Sequence, residues 1–387
     1  MMKRIITLYN EKKRIQKLFL FCCLLLSACE KDEMMNTGPQ TIKIITPKEE
    51  CWVSDSFLME AIFDGQKDST RTVVWSSSNE NLATIDNSGM ITLKKEGQVK
   101  IDAQSGKLSA TYNMTIKPMN LLYQTTGQKV NAIKSMNWSD RKTEVLLNGT
   151  WAFSTPKMAP DGSALVFADT ISYYDPDIFV YQFDQSKRIH IAGYDEWDDQ
   201  PIWDTNSKRI IFRSFRENGL GCIYEFDLSN SSLVNLTPDP VNAAWVNLDP
   251  ALSPDGKKMA FSNNKNGIHD IWIYDFESKT MSAVTATMEY EGEPAWSPDS
   301  KKLVFRRDFS FHPKASDLII LDLDKNTTQQ LRIEGVERQP AWSPNGKFIV
   351  FTYQPGNSLP VISYIDIEKP EEVFIIEGHY GYSPSFY

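Results

Sequence analysis

The feature that most constrains this chain is a repeat. Pro156, Pro201, Pro250, Pro294, Pro340 and Pro384 follow one another at steps of 45, 49, 44, 46 and 44 residues. Each opens a variation on one theme, clearest in Pro294-Ala295-Trp296-Ser297-Pro298-Asp299 and Pro340-Ala341-Trp342-Ser343-Pro344-Asn345-Gly346, with Pro250-Ala251-Leu252-Ser253-Pro254-Asp255-Gly256 close behind. Ser-Pro-Asp-Gly chemistry makes a chain reversal, because proline presets φ at the first corner and Asp, Asn or Gly tolerates the rest. An apolar strand follows the turn, such as Lys302-Leu303-Val304-Phe305; then a third, such as Asp270-Ile271-Trp272-Ile273-Tyr274-Asp275; then a fourth, such as Ser282-Ala283-Val284-Thr285. Four short antiparallel strands per repeat of this length form one blade of a radial array. Middle strands that are almost continuously apolar fit sheets covered on both faces by their neighbours.

These motifs resemble the TolB-type propeller repeat across roughly residues 120–387. The second repeat departs from it, with Trp203-Asp204-Thr205-Asn206 lacking the second proline, and the first has Met158-Ala159-Pro160 where tryptophan and serine are usual. Six prolines accompany five complete repeats, since Pro384 lies three residues from the last residue. Ring closure accounts for this: Ser383 to Tyr387 is expected to form the inner strand of a sixth blade whose other strands come from Leu121 to Gln124, Val130 to Met136 and Glu144 to Leu147. Such pairing leaves no exposed sheet edge. Trp138-Ser139-Asp140 is rejected as a motif start, because too few residues separate it from Pro156 to finish a blade.

Residues 41–117 follow another pattern, with short β-type runs between turn residues, as in a sandwich. Val74-Trp75-Ser76-Ser77-Ser78-Asn79, Ala83-Thr84-Ile85-Asp86, Gly89-Met90-Ile91-Thr92 and Gly97-Gln98-Val99-Lys100-Ile101 resemble the group 2 bacterial Ig-like domain. The resemblance implies that Trp75 is the core aromatic, that Asn87 to Gly89 is a hairpin turn and that Gly97 is a tight-turn glycine. It also implies a spacer. The expected fold is therefore all-β, a small Ig-like β-sandwich followed by a six-bladed β-propeller.

At the amino terminus a basic head of six Lys/Arg precedes the apolar run Leu18 to Leu26, the pattern of a secretory signal. This run is well short of the ~20 residues a spanning helix needs. Leu26-Ser27-Ala28-Cys29 resembles a lipobox, which implies cleavage after residue 28 and lipidation of Cys29. The acidic tether of residues 29–40 begins Glu30-Lys31-Asp32-Glu33, similar to the tag that sends Bacteroidetes lipoproteins to the outer face of the outer membrane; a periplasm-facing anchor is the alternative. Without residues 1–28 the chain holds 35 basic and 49 acidic residues, a net charge of about −14. An acidic chain with no basic block argues against nucleic acid, whose affinity comes mainly from neutralised phosphates. Cys51 and Cys222 remain after processing, in different domains, and are expected to be buried free thiols.

In the geometry this family implies, the loops entering each inner strand and those joining strands two and three open on one face around a central channel. The entering loops carry Asp195, Trp197 and Asp198, then Asp249, then Tyr290 and Glu291, then Glu337 and Arg338, then Tyr380 and Tyr382. Tyr174 and Arg307 come from the second set. Acids mixed with aromatics make a recognition surface, since Tyr and Trp give large contact area at low entropic cost. The leading expectation is a cell-envelope binding module for a protein or glycan, with no catalytic residues. TolB itself docks an envelope lipoprotein through its propeller, but it has an α/β amino-terminal domain and no lipid anchor.

Two alternatives remain open. His269, His312 and His379 fall on the same expected face, and histidine is the commonest transition-metal ligand, so a Ca- or Mn-dependent polysaccharide lyase of the oligogalacturonate lyase type is the nearest catalytic reading. A purely structural surface component is the other. The Asp322-Leu323-Asp324-Lys325-Asn326 run lacks the glycine and distant glutamate of an EF-hand loop and reads as a strand-to-strand turn. A prolyl oligopeptidase-type peptidase would need an α/β-hydrolase domain that no sequence pattern supplies. Gly381-Tyr382-Ser383-Pro384-Ser385 has serine where a nucleophile elbow has its last glycine.

Overall fold

The computed structural model describes residues 39–125, 131–150, 155–172, 175–192, 197–217, 219–238, 245–309, 316–333, 335–356 and 358–387. Cys29, Tyr174, Asp195 and His312 lie outside them. The described secondary structure is all β, and no described helix is long and apolar enough to cross a membrane.

The amino-terminal unit is a sandwich. A four-stranded sheet runs Cys51–Trp52, Leu108–Lys117, Gly97–Ser105, Val74–Ser77, and a three-stranded sheet runs Ser56–Leu58, Met90–Leu93, Ala83–Ile85; Ile42–Ile45 pairs with Glu60–Phe63. Alternation places Val99, Ile101, Met114 and Ile116 inward from one sheet and Ile91 and Leu93 from the other, around the buried Trp75 ring. Gly89 has φ +89°, and a methyl group there would come 2.5 Å from the Met59 carbonyl oxygen and against the Trp75 indole. Only glycine meets both demands.

Residues from Asn120 onward form six four-stranded antiparallel sheets in a ring. The inner strands of blades two to five are Asp198–Trp203, Asn247–Leu252, Tyr290–Trp296 and Val336–Trp342; Lys157–Met158 begins blade one. Tyr382–Phe386 is the inner strand of the sixth blade and pairs with Asn120–Thr125, which continues to Asn131–Asn137 and Thr143–Thr150. Register joins Leu121 to Phe386 and Gln124 to Tyr382, and Tyr387 N donates to the Asn120 carbonyl at 3.0 Å. The two ends of the module thus seal each other, as the count of prolines requires.

The turn after each inner strand repeats one bonding scheme. Ser253, Ser297 and Ser343 donate their hydroxyls to Asp255, Asp299 and Asn345 at 2.6, 2.6 and 2.7 Å, and accept from the backbone N–H of Lys258, Lys302 and Phe348. In the second blade Asp204 takes the serine's place and accepts from Lys208 N and Arg209 N at 2.7 and 3.0 Å. In the first, Ala159 has no hydroxyl and the turn rests on backbone bonds, Ala159 N to Ala164 O and Gly162 N to Ala159 O. The second strands of the first five blades each hold a fully enclosed phenylalanine, Phe167, Phe212, Phe261, Phe305 and Phe351. At ~25 cal/mol per Å² of apolar area, these rings supply much of the cohesion between neighbouring sheets.

The Ig-like unit packs against the closing and fifth blades, and its core is continuous with theirs through Met119, Leu121, Trp138 and Phe348. Trp138, excluded above as a motif start, sits in a strand-to-strand turn and packs on Phe348, Tyr364 and Phe386 with centroids 4.9–5.3 Å away. Asn345 Nδ2 donates to the Val53 carbonyl at 3.3 Å, and Ser139 Oγ donates to Glu96 Oε2 at 3.1 Å. Both contacts come from turns after inner or third strands, so the Ig-like unit lies beneath the face opposite the entering loops. Cys51 and Cys222 are free and buried.

Candidate functional site

The channel wall begins with the residue before each repeat proline. Thr155, Gln200, Asp249, Glu293, Gln339 and Ser383 have φ of 23, 53, 54, 56, 52 and 53°. None is glycine, and a non-glycine residue held there costs about 1–3 kcal/mol unless its surroundings fix it. The fixing is visible. Proline has no N–H for the ladder and is tolerated in strands at bulges. The pairing of inner with second strand shifts register at this point in blades two to five. A bulge re-aims the side chain, here toward the axis.

Four of these side chains then capture the next blade's backbone. Gln200 Oε1 accepts from Asp249 N at 2.8 Å, Asp249 Oδ2 from Glu293 N at 3.1 Å, Glu293 Oε2 from Gln339 N at 2.6 Å, and Gln339 Oε1 from Ser383 N at 2.8 Å. Gln200 Nε2 also donates to Asp249 Oδ1 at 2.5 Å. The circle stops at Thr155 and Ser383, whose side chains are too short to span a blade. These six residues, the prolines of all but the first, Lys157 and Ile202 line an axial cavity of about 100 Å³. Burial, with Glu293 alongside, pushes the Asp249 carboxyl up to about 7, and burial pulls the Lys157 amine down to about 8.

Above the ring, two arginines are already neutralised. Arg213 binds both oxygens of Asp199, which also accepts from Trp197 Nε1 at 2.8 Å. Arg306 pairs with Asp308 and reaches Glu293 Oε1 at 3.3 Å. Tyr290 lies against Gly292, where an added methyl would meet its ring at 2.9 Å, and burial, then Asp249 and Glu293, raises its phenol above the ordinary range.

The expected mouth residues divide into three groups. Trp197, Arg338 and Tyr380 are exposed on the rim, Trp197 by 37% and Tyr380 by 51%. Asp249 is channel wall, with Tyr290 behind it, while Tyr382 is half-buried in the closing strand. Asp198, Glu291 and Glu337 depart from expectation as contact residues: each is 0% exposed. Asp198 pairs with Arg216 at 2.7 Å, Glu291 with Arg307 at 2.6 Å, and Glu337 accepts from Ser316 Oγ at 3.2 Å. Arg307 is thereby committed to Glu291, with its side chain 19% exposed. One oxygen of each of these three carboxylates is buried without a hydrogen-bond partner among the described residues. Burial first, with like charge from Asp177 and Asp317, raises Asp198 to about 7 and Glu337 to about 8.

The two described candidates, His269 and His379, do not converge. His269 faces Ser262 Oγ at 3.1 Å and Tyr290, and burial lowers its pKa. His379 packs on Tyr123 in another blade. Among the described residues no three His, Cys, Asp or Glu side chains are grouped to hold a metal ion. Sequence reasoning missed Thr155, Lys157, Gln200, Gln339 and Ser383 as site residues. The signal was available, since four of them precede a repeat proline.

Fold and channel define an Ig-like sandwich joined to a closed six-bladed propeller with a polar axial cavity. Residues 43–116 match the family model of the bacterial Ig-like domain (group 2), and residues 239–387 match that of the TolB beta propeller domain. The chain carries a group 2 bacterial Ig-like domain followed by a TolB-type propeller. A similar curated protein is the Tol-Pal system protein TolB of Francisella tularensis subsp. tularensis, 27% identical over 88 residues, which is 22% of this chain and 19% of that protein. The match thus spans about a fifth of that relative's length. Among solved structures, TolB from Acinetobacter baumannii superposes with TM-score 0.61 at 16% identity, covering 81% of this chain and 82% of that one. A putative TolB from Agrobacterium tumefaciens gives TM-score 0.55 at 15% identity, covering 67% and 90%. At these identities the likeness shows the fold.

Proposed function

We propose that this chain is a cell-envelope lipoprotein that binds a protein partner through the open face of its propeller, with the Ig-like domain as spacer and Cys29 as lipid attachment. The observation that carries the reading is the division of the two faces. The Ig-like unit lies beneath one through the Asn345–Val53 and Ser139–Glu96 contacts, while the rim with Trp197, Arg338 and Tyr380 lies on the other. An anchor on the amino-terminal side then points the rim away from the membrane. Trp, Tyr and Arg are the residue types that dominate binding energy at protein interfaces. The TolB relative's printed role in the Tol-Pal system favours an envelope protein over a glycan.

The test uses full-length protein in detergent as bait for envelope extracts, followed by affinity measurement on the captured partner. Trp197→Ala, Arg338→Ala and Tyr380→Ala should each weaken it by about tenfold or more, the scale of an interface hot spot. Binding indifferent to all three substitutions would remove the rim from the reading.

A further inference from the structure

The axial cavity has two unlike walls. Blade order sets Thr155 and Lys157 opposite Glu293 across the ring, with Asp249 beside Glu293. Lys157 is the cation among the described lining residues, and Asp249 and Glu293 are the acids. Arg213 and Arg306 above the cavity have carboxylate partners. Among the described residues, the Lys157 amine has no hydrogen bond or ion pair, while its backbone pairs with Val166 and its carbonyl accepts from Trp203 Nε1 at 3.1 Å. Beside it, Thr155 Oγ1 is buried with no hydrogen-bond partner among the described residues. This is where the blade-to-blade circle is broken. A buried polar atom without a partner in a native fold calls for an explanation, and an unpaired charge drawn into a low-dielectric space calls for one more strongly.

On the acidic wall the carboxylates are engaged but not exhausted. Asp249 accepts at Oδ1 and Oδ2, and Glu293 accepts from Gln339 N and Arg306; a carboxylate offers about four acceptor positions. A lone anion beside Lys157 would be repelled by this wall, and a lone cation beside the acids would leave Lys157 uncompensated. A molecule with both charges satisfies both walls. The volume of about 100 Å³ holds several waters, at ~30 Å³ each, or a solute of a few heavy atoms.

We infer that the channel binds a small zwitterion of the amino acid class, with its carboxylate toward Lys157 and Thr155 and its ammonium toward Asp249 and Glu293. The depressed Lys157 amine and the raised Asp249 carboxyl agree with charged groups awaiting counterparts. The site is separate from the partner-binding rim and does not depend on that reading.

Isothermal titration of the full chain in detergent tests it, with glycine, β-alanine and 4-aminobutyrate as zwitterions and acetate and methylammonium as half-ligands. One zwitterion should saturate with one-to-one stoichiometry, about tenfold tighter than either half-ligand. Lys157→Met and Glu293→Gln should each weaken it by about tenfold, and Trp197→Ala should leave it unchanged. The Glu293→Gln side chain keeps an oxygen for Gln339 N, and Asp249→Asn replaces it if that variant fails to give a native circular dichroism spectrum. The inference is overturned if none of the three saturates up to roughly 10 mM, if acetate or methylammonium alone binds as tightly, or if the folded variants bind like the parent.

Discussion

Glu337 is the most direct test of how the blades are sealed. It is fully enclosed between Ser316 and Asp317, with one carboxylate oxygen unpaired, and its pKa rises from 4.5 to about 8. Burial is the main cause, and Asp317 adds to it. The unfolded chain releases this proton near the ordinary value while the native chain keeps it to about pH 8, so between those values the native state binds more protons. Its contribution is fully present below the unfolded pKa and is lost as pH rises through the window. Glu337→Gln does not titrate, keeps a carbonyl for Ser316 and offers an amide to Asp317. Its stability relative to the parent should therefore increase between pH 5 and pH 7, by roughly 2 kcal/mol at 1.36 kcal/mol per pKa unit over the window. Denaturant unfolding of both proteins at the two pH values, followed by circular dichroism, measures it. A gap between variant and parent that is the same at both pH values would refute the argument, because any change of contact alone is independent of proton binding.

Two further outcomes follow from the packing. Gly381→Ala should destabilise the ring by about 3 kcal/mol, the range of severe steric substitutions, since its methyl would sit 2.1 Å from the Gln124 carbonyl oxygen in the closing pair; an unchanged melting temperature would contradict the closure. Cys51 and Cys222 should resist an aromatic disulfide reagent in the native protein and react after unfolding, because both are buried and burial raises the Cys51 thiol; rapid native labelling of either would count against this packing.

The architecture was legible because it is written locally. The proline period, the Ser-Pro-Asp-Gly turns and the Trp75 sandwich pattern each depend on residues close in sequence, and ring closure followed from counting six prolines against five repeats. The lapses do not remove the period: Asp204 substitutes for a serine hydroxyl, and the Ala159 turn holds by backbone bonds.

What the loops do was less legible. Asp198, Glu291 and Glu337 look like the other acids of the entering loops, yet their partners Arg216, Arg307 and Ser316 lie 16 to 21 residues away. Trp197, Asp198, Asp199 and Gln200 follow one another in sequence but go to the rim, the seam, an arginine pair and the channel. Sequence alone determined the repeat, the turns and the two-domain order, since those rest on φ preferences and on the alternation of apolar residues. Tertiary structure alone decided which carboxylates are enclosed and which side chains line the axis. Strand alternation would send residues two apart to one side, and the bulge at the pre-proline position of blades two to five, set where the next blade's N–H is captured, turns the second of them inward.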